Sequence, residues 1–289
     1  MQEPKYFQGN LKIFYIEVML VQVEKVMASP VKTIDKDQTV PIALDIMEKL
    51  GISAIPVTEE NRLIGLITEL DLVDRLGSAR AGKLSPASIH VSSVMEFNPQ
   101  IIDPSMDMFE AAKLLLKRQE RALPVVKDGE VVGIITNKHF VNQCQDITDI
   151  RVQDLELEKP ISVSPTDRVV HARQLILAEK MPGLPVFDEG KFVGLVTKKR
   201  LVLGFAAFRR EIPAKYQSTR LREFLVANIL TRTDLTTTPE MTVGDAAKLL
   251  LHEHQHLLPV MKKEIMQNIL IRRSLVKLVA SHFNPKKAA

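Results

Sequence analysis

With 289 residues, 45% of them hydrophobic and 26% charged, the chain has the balance of a globular protein with one large core or two ordinary ones. Its formal charge of +4, from 39 basic and 35 acidic residues, forms no dominant block, so nucleic acid ranks last among partners while anionic small molecules stay compatible. The single cysteine, Cys144, excludes an internal disulfide and favours a reducing cytoplasm, and with neither a signal-type N-terminus nor an apolar run of about 18 residues, export and membrane insertion are disfavoured.

Residues 10–23, "NLKIFYIEVMLVQV", alternate in polarity and read as a short strand or as an extension ahead of a start at Met19, so 1–22 is set apart. A pattern then occurs four times. The tripeptides "IPV", "LPV", "LPV" and "LPV" place Pro56, Pro124, Pro185 and Pro259 at steps of 68, 61 and 74 residues by subtraction. "AAKLLL" occurs at Ala111 and again at Ala246. Each unit reads as a short apolar strand ("PVKTID" from Pro30, "PQIID" from Pro99, "PISVS" from Pro160, "DLTTT" from Asp234) followed by an amphipathic helix. The x-Pro-Val strand, a polar turn such as "KDGE", a third strand such as "VVGIIT" and a closing helix complete it. A unit of some 55 to 60 residues has little core of its own, so pairing is expected. Polar linkers at "SARAGKLSPAS" (Ser78 to Ser88) and "RREIPAKYQST" (Arg209 to Thr219) sit inside the pairs.

Four units with an x-Pro-Val strand, the first closing in G-h-h-T-x-x-D, resemble cystathionine β-synthase (CBS) domains, and two consecutive pairs resemble tandem Bateman modules. The resemblance implies an α/β fold of strand-helix-strand-strand-helix repeats, disc-like as a whole. It gives module one at 23–144 (repeats 23–77 and 90–144) and module two at 145–280 (repeats 150–204 and 221–280). Four units in one chain are similar to the gamma regulatory subunit of AMP-activated protein kinase. Such families bind adenosine-containing ligands in the cleft between paired units.

"GLIT", "GIIT" and "GLVT" recur from Gly65, Gly133 and Gly194, but the Asp71 that follows the first has His139 and Arg200 as its counterparts. Thr with an acidic residue three positions on is a capping-box pattern, and the cap alone explains Thr68, Thr136 and Thr197. A helix N-terminus can also hold a phosphate, and an ionised carboxylate one turn in suits the two hydroxyls of a ribose. The Thr then recurs as a cap, while the carboxylate is needed only where a sugar is held. The fourth unit departs further, with Asn268, Ile271 and Ser274 for Gly, Thr and Asp. From the family resemblance, Lys138 and Lys199 match a basic position just before the lost Asp, and Arg121 and His256 match one leading into the x-Pro-Val strand; all four are implied phosphate contacts. Val31, Ala54, Ile55 and Pro56 match the apolar slot for the base, and they read equally well as strand core.

"HEHQH" at His252 to His256 satisfies H-E-x-x-H, but it overlies "KRQER" of unit two and lacks a nearby third ligand, so zinc catalysis is disfavoured. No nucleophile elbow, P-loop or Rossmann glycine pattern occurs. The expected function is a non-catalytic, cytoplasmic sensor with no cofactor, whose ligand is AMP, ADP, ATP or S-adenosylmethionine. A regulated protein is the implied partner, and a homodimer stays open. The alternative is a scaffolding protein with vacant sites.

Overall fold

The computed structural model describes residues 21–77, 86–117, 122–252 and 255–281. The N-terminal segment up to residue 20, Arg121 and most of the first linker lie outside the described residues.

Each repeat is built on one hairpin. Repeat one runs β1 (Ile34–Asp35), α1 (Val40–Leu50), β2 (Ala54–Glu59), β3 (Arg62–Thr68) and α2 (Glu69–Gly77). Repeat two follows with β4 (Glu96–Phe97), α3 (Met108–Lys117), β5 (Ala122–Lys127), β6 (Glu130–Thr136) and α4 (Asn137–Gln143). Repeat three has α5 (Val169–Ala178), β7 (Gly183–Asp188), β8 (Lys191–Thr197) and α6 (Lys198–Glu211), and α7 (Ala214–Arg220) comes after it. Repeat four closes with β9 (Thr231–Arg232), α8 (Val243–Leu251), β10 (Leu257–Lys262), β11 (Ile265–Ile271) and α9 (Arg272–Ser281).

The local sequence accounts for these elements. Helix α1 starts with a proline in its first turn, where a missing N–H costs nothing, and stops at Gly51 in the left-handed conformation, whose N–H reaches the Glu48 and Met47 carbonyls. The hairpins turn on two residues of positive φ, such as Asp128 (53°) and Gly129 (85°), the combination that matches the twist of antiparallel strands. In each hairpin the register shifts by one residue just after the x-Pro-Val motif, as between Val57 and Thr58.

Two expectations need correction. The leading strand shrinks to a single parallel bridge in repeats two to four: Ile102 with Val125, Val163 with Val186 and Thr237 with Val260. Ile102 donates to the Pro124 carbonyl (3.1 Å) and accepts from Val126 N–H (3.0 Å), after which Pro104 breaks the extended run. The second linker is largely helical, with α6 running to Glu211 and α7 starting after Pro213. The Gln217 side chain ties the corner by donating to the carbonyls of Ile212 (2.8 Å) and Arg209 (3.2 Å).

By mutual packing the chain divides into two compact units. One comprises Lys32–Pro99 and Pro160–Leu235, and so holds the hairpins of repeats one and three; the other comprises Met1–Val31, Gln100–Lys159 and Thr236–Ala289, with those of repeats two and four. In the odd unit Ile55, Val57, Ile67, Leu72 and Leu76 share a core with Leu184, Val186, Val196 and Phe205. In the even unit α9 packs on α3 and α4.

The segments that precede each repeat dock on a neighbouring hairpin. Ala28, ahead of repeat one, pairs with Ile134 of repeat two, and β4, ahead of repeat two, pairs with Gly65 and Leu66 of repeat one. Glu158 and β9 repeat the exchange on Ile269 and on Gly194–Leu195. The recurring glycine permits this approach, because a Cβ at Gly65 would lie 2.5 Å from Met95 Sδ and 2.9 Å from the Glu96 carbonyl. Repeat four has Asn268 there, and its amide donates to the Glu158 carbonyl (3.4 Å) instead. No helix among the described residues is long and apolar enough to cross a membrane.

Candidate functional site

Thr68 ends β3 with its side chain buried, and α2 begins at the next residue. Asp71 folds back one turn, so that one carboxylate oxygen, Oδ2, accepts both the Thr68 N–H (2.8 Å) and the Thr68 hydroxyl (2.7 Å). The hydroxyl therefore donates to Asp71, where the capping reading has it accepting from the helix. A carboxylate has about four lone-pair sites, so these two bonds leave it able to accept from further donors.

The three counterparts meet the same need differently. In repeat two Thr136 N–H donates to His139 Nδ1 (2.9 Å), so the imidazole stands in for the carboxylate and, when neutral, carries its proton on Nε2. Burial, with the Lys138 charge adding to it, holds the His139 pKa below the ordinary imidazole value against the opposing bond to the Thr136 backbone. In repeat three Arg200 has no acceptor to offer. Its N–H is taken by Thr197 Oγ1 (3.3 Å), and its guanidinium turns to the Ile229 carbonyl (3.0 Å). In repeat four the Ser274 hydroxyl is buried without a partner among the described residues.

Asp71 also borders an open cavity of about 350 Å³, lined with it by Leu70, Asp74, Arg75, Ser93, Val94 and Leu177. The lining comes from α2, from the segment leading into β4 and from α5, all within the odd unit. Its volume is in the range of small-molecule sites. The last turn of α2 is held by two guanidinium groups from repeat three. Arg173 donates to the carbonyls of Val73 (3.0 Å) and Asp74 (2.9 Å) and pairs with Asp74 Oδ1 (2.6 Å); Arg209 donates to the Leu76 carbonyl (2.6 Å). Cations at a helix C-terminus satisfy orphan carbonyls and oppose the helix dipole.

Of the residues expected at a site, Thr68 and Asp71 come together, and Ala54 lies directly across the ladder from Thr68. Ala54, Ile55 and Pro56 are buried in β2, with Ile55 inside the odd-unit core, as ordinary strand packing requires. Lys199 does not border the Asp71 cavity; it lines a crevice of about 10 Å³ with Leu44, Met47, Glu48 and Glu69. Val31, Thr136, Lys138 and His256 belong to the even unit, where Lys138 is exposed and Val31, Thr136 and His256 are half-buried. Sequence reasoning missed Asp74, Arg75, Ser93, Leu177 and Arg173. It also missed Arg273, at the position of Lys138 and Lys199 in the fourth repeat, whose Nε is buried without a partner among the described residues.

His252 terminates α8 in an extended conformation and His256 lies outside any helix, while residues 253–254 of the histidine motif lie outside the described residues. Among the described residues no cluster of three His, Cys, Asp or Glu could hold a metal. Cys144 is fully buried and its thiol pKa is pushed up to about 12, which leaves it unreactive.

The family model of the CBS domain matches residues 23–78, 91–145, 152–206 and 226–281. Protein MJ1225 of Methanocaldococcus jannaschii is 24% identical over 200 residues, 64% of this chain and 70% of that protein. Its crystal structure, described as that of a proposed archaeal homologue of g-AMPK, aligns with a TM-score of 0.78 at 20% identity, covering 89% of this chain and 99% of that one. A conserved protein from Pyrococcus horikoshii aligns with a TM-score of 0.60 at 22% identity over 90% of this chain and 100% of that one. At these identities the likeness speaks for the fold alone.

Proposed function

This chain belongs to the CBS-domain family, and on that premise we propose that it is a non-catalytic regulatory protein that binds an adenine nucleotide (AMP, ADP or ATP) or a related adenosyl ligand at its first repeat. The observation that carries the reading is Asp71: the carboxylate that organises the start of α2 also borders a cavity of nucleotide-site dimensions. It would accept the ribose hydroxyls, with Thr68 holding it in place. The base-slot and phosphate roles assigned above to the matching residues stay part of the proposal, as do the two modules 23–144 and 145–280, a cytoplasmic setting and a regulated partner protein. The exchange of leading segments between repeats one and two, and between three and four, supports the module pairing. A ligand that binds one arrangement of the repeats better than another shifts the population toward it, and that shift is the signal.

Scaffolding with vacant sites is the competing reading, favoured by the loss of the carboxylate in three repeats of four. Calorimetric titration of the full chain with AMP, ADP, ATP and S-adenosylmethionine separates the two. Binding of at least one, accompanied by stabilisation of about 2.7 kcal/mol at a hundredfold excess over Kd, supports the sensor. Four flat titrations overturn it.

A further inference from the structure

Helix α9, in the even unit, begins with two cations at the end where the helix dipole favours anions. Arg272 and Arg273 fill its first two positions and its first turn holds no acidic residue, whereas α2 opens with Glu69 and Asp71. The unit gives these arginines only part of what they need. Arg272 donates one Nη to the Leu250 carbonyl (2.8 Å) in the last turn of α8, and Arg273 one Nη to the Leu116 carbonyl (3.4 Å) in the last turn of α3. Those bonds cap two helix ends and account for one arm of each guanidinium. They leave Arg272 Nε, Arg273 Nε and the Ser274 hydroxyl buried with no hydrogen-bond partner among the described residues. The α9 cation that does meet carboxylates is Lys277, beside Glu156 and Glu158. Arg272 is 9% exposed and Ser274 1%, so water does not make up the deficit. Ser274 also holds the helix position from which Asp71 and His139 reach back across the first turns of α2 and α4. Burying polar and charged groups without partners costs free energy, and three such groups on consecutive residues call for one shared acceptor.

We propose that the first turn of α9 is a seat for a small free oxyanion of the phosphate class, bound by the Nε groups of Arg272 and Arg273, the Ser274 hydroxyl and the opening amides of the helix. The site belongs to repeat four and does not rest on the reading of Asp71. A guanidinium presents Nε and Nη as a fork that fits an oxyanion, and a helix N-terminus adds aligned amides and partial positive charge. Burial pushes the Arg272 pKa down to about 10, a direction that an adjoining anion reverses. Because the three unpartnered atoms are closed to solvent, the seat suits a bare anion and not the body of a nucleotide. The anion enters as Arg273, half-buried and held by its long bond to Leu116, turns aside. Once bound, it is linked through Arg272 and Arg273 to the ends of the two "AAKLLL" helices, one from each repeat of the even unit.

The test is calorimetric titration of inorganic phosphate into the full chain, in chloride buffer at fixed ionic strength, with urea melts alongside. The wild type binds phosphate saturably. Arg273→Met weakens that binding by about tenfold to a hundredfold, the scale of hydrogen bonds to a charged group, and Ser274→Ala by about threefold to tenfold. Lys127→Met, which removes an exposed cation from β5 of the same unit, leaves it unchanged. Without phosphate, Ser274→Ala unfolds at the same urea concentration as the wild type or a higher one, since its hydroxyl has no bond to lose. With phosphate, the wild-type midpoint rises further than that of the variant. Absence of saturable binding overturns the proposal, and so does equal weakening by Arg273→Met and Lys127→Met, which marks diffuse charge attraction. A dependence on Arg273 seen with AMP but not with inorganic phosphate also overturns it, by placing the arginine in a nucleotide site. The first two results leave the sensor reading of Asp71 standing, and the third is compatible with it.

Discussion

His139 performs for repeat two the task that a carboxylate performs for repeat one, and its chemistry makes that turn sensitive to acid. Its Nδ1 accepts the Thr136 N–H only while unprotonated, and burial favours the unprotonated ring. The folded chain therefore binds a proton at His139 less readily than the unfolded chain, whose imidazole titrates near the ordinary value of 6.5. The contribution is complete above pH 6.5 and is lost as pH falls from there through the folded-state pKa. Urea melts should show stability declining between pH 7.5 and 5.5, with a shallower decline in His139→Asn, whose amide oxygen accepts the same N–H at every pH. Equal slopes in the two proteins would remove His139 from the account. Thr68 and Asp71 were legible because the Thr recurs and the carboxylate does not. Arg75, Ser93 and Leu177 were not, because the cavity is assembled from three segments far apart in the chain.

The hairpins show the same split between local and long-range information. An apolar x-Pro-Val strand, a polar turn and a second apolar strand, closed by Thr in the first three repeats, specify each hairpin from neighbours in the chain, and all four hairpins form as the pattern implies. The short leading strands were overestimated because their pairing stops where a proline or a side-chain turn intervenes, as at Asp103, whose carboxylate accepts the Ser105 N–H (2.8 Å). Repeat four sets Lys263 (φ 48°) and Glu264 (φ 65°) in the left-handed region that a glycine occupies at no steric cost. Glu264→Gly should stabilise the chain by about 0.5–1 kcal/mol in urea melts, the strain of an L-residue there exceeding the added backbone entropy of glycine. Gly65→Ala should do the opposite, by about 1–3 kcal/mol, since the new methyl meets Met95 and the Glu96 carbonyl. A neutral Gly65→Ala would mean that β4 does not dock on β3 in solution.

At the scale of the molecule, each leading segment docks on a hairpin other than the one that follows it in the chain. Residues 21–31 pack in the unit that holds repeats two and four, through Ala28 on Ile134 and through Val23 N–H on the Met106 carbonyl (2.8 Å). Nothing local states which hairpin a two-residue strand will find; the glycine in every such hairpin but the fourth was the only trace. A chain beginning at Lys32 should therefore lose protection of the Ile134 amide in hydrogen exchange while Leu66, paired with β4, stays protected. Loss at Leu66 with Ile134 unchanged would reverse the assignment of the segments.

The most direct test of the proposed sensor is calorimetric titration of AMP into the wild type, Asp71→Asn and Ser274→Ala. The asparagine keeps an acceptor for the Thr68 N–H and removes the negative charge, so the turn survives while the sugar loses its ionised partner. The expected result is a loss of about tenfold to a hundredfold in affinity for Asp71→Asn, the scale of hydrogen bonds to a charged group, and little change for Ser274→Ala. Equal affinities in all three proteins would contradict the account.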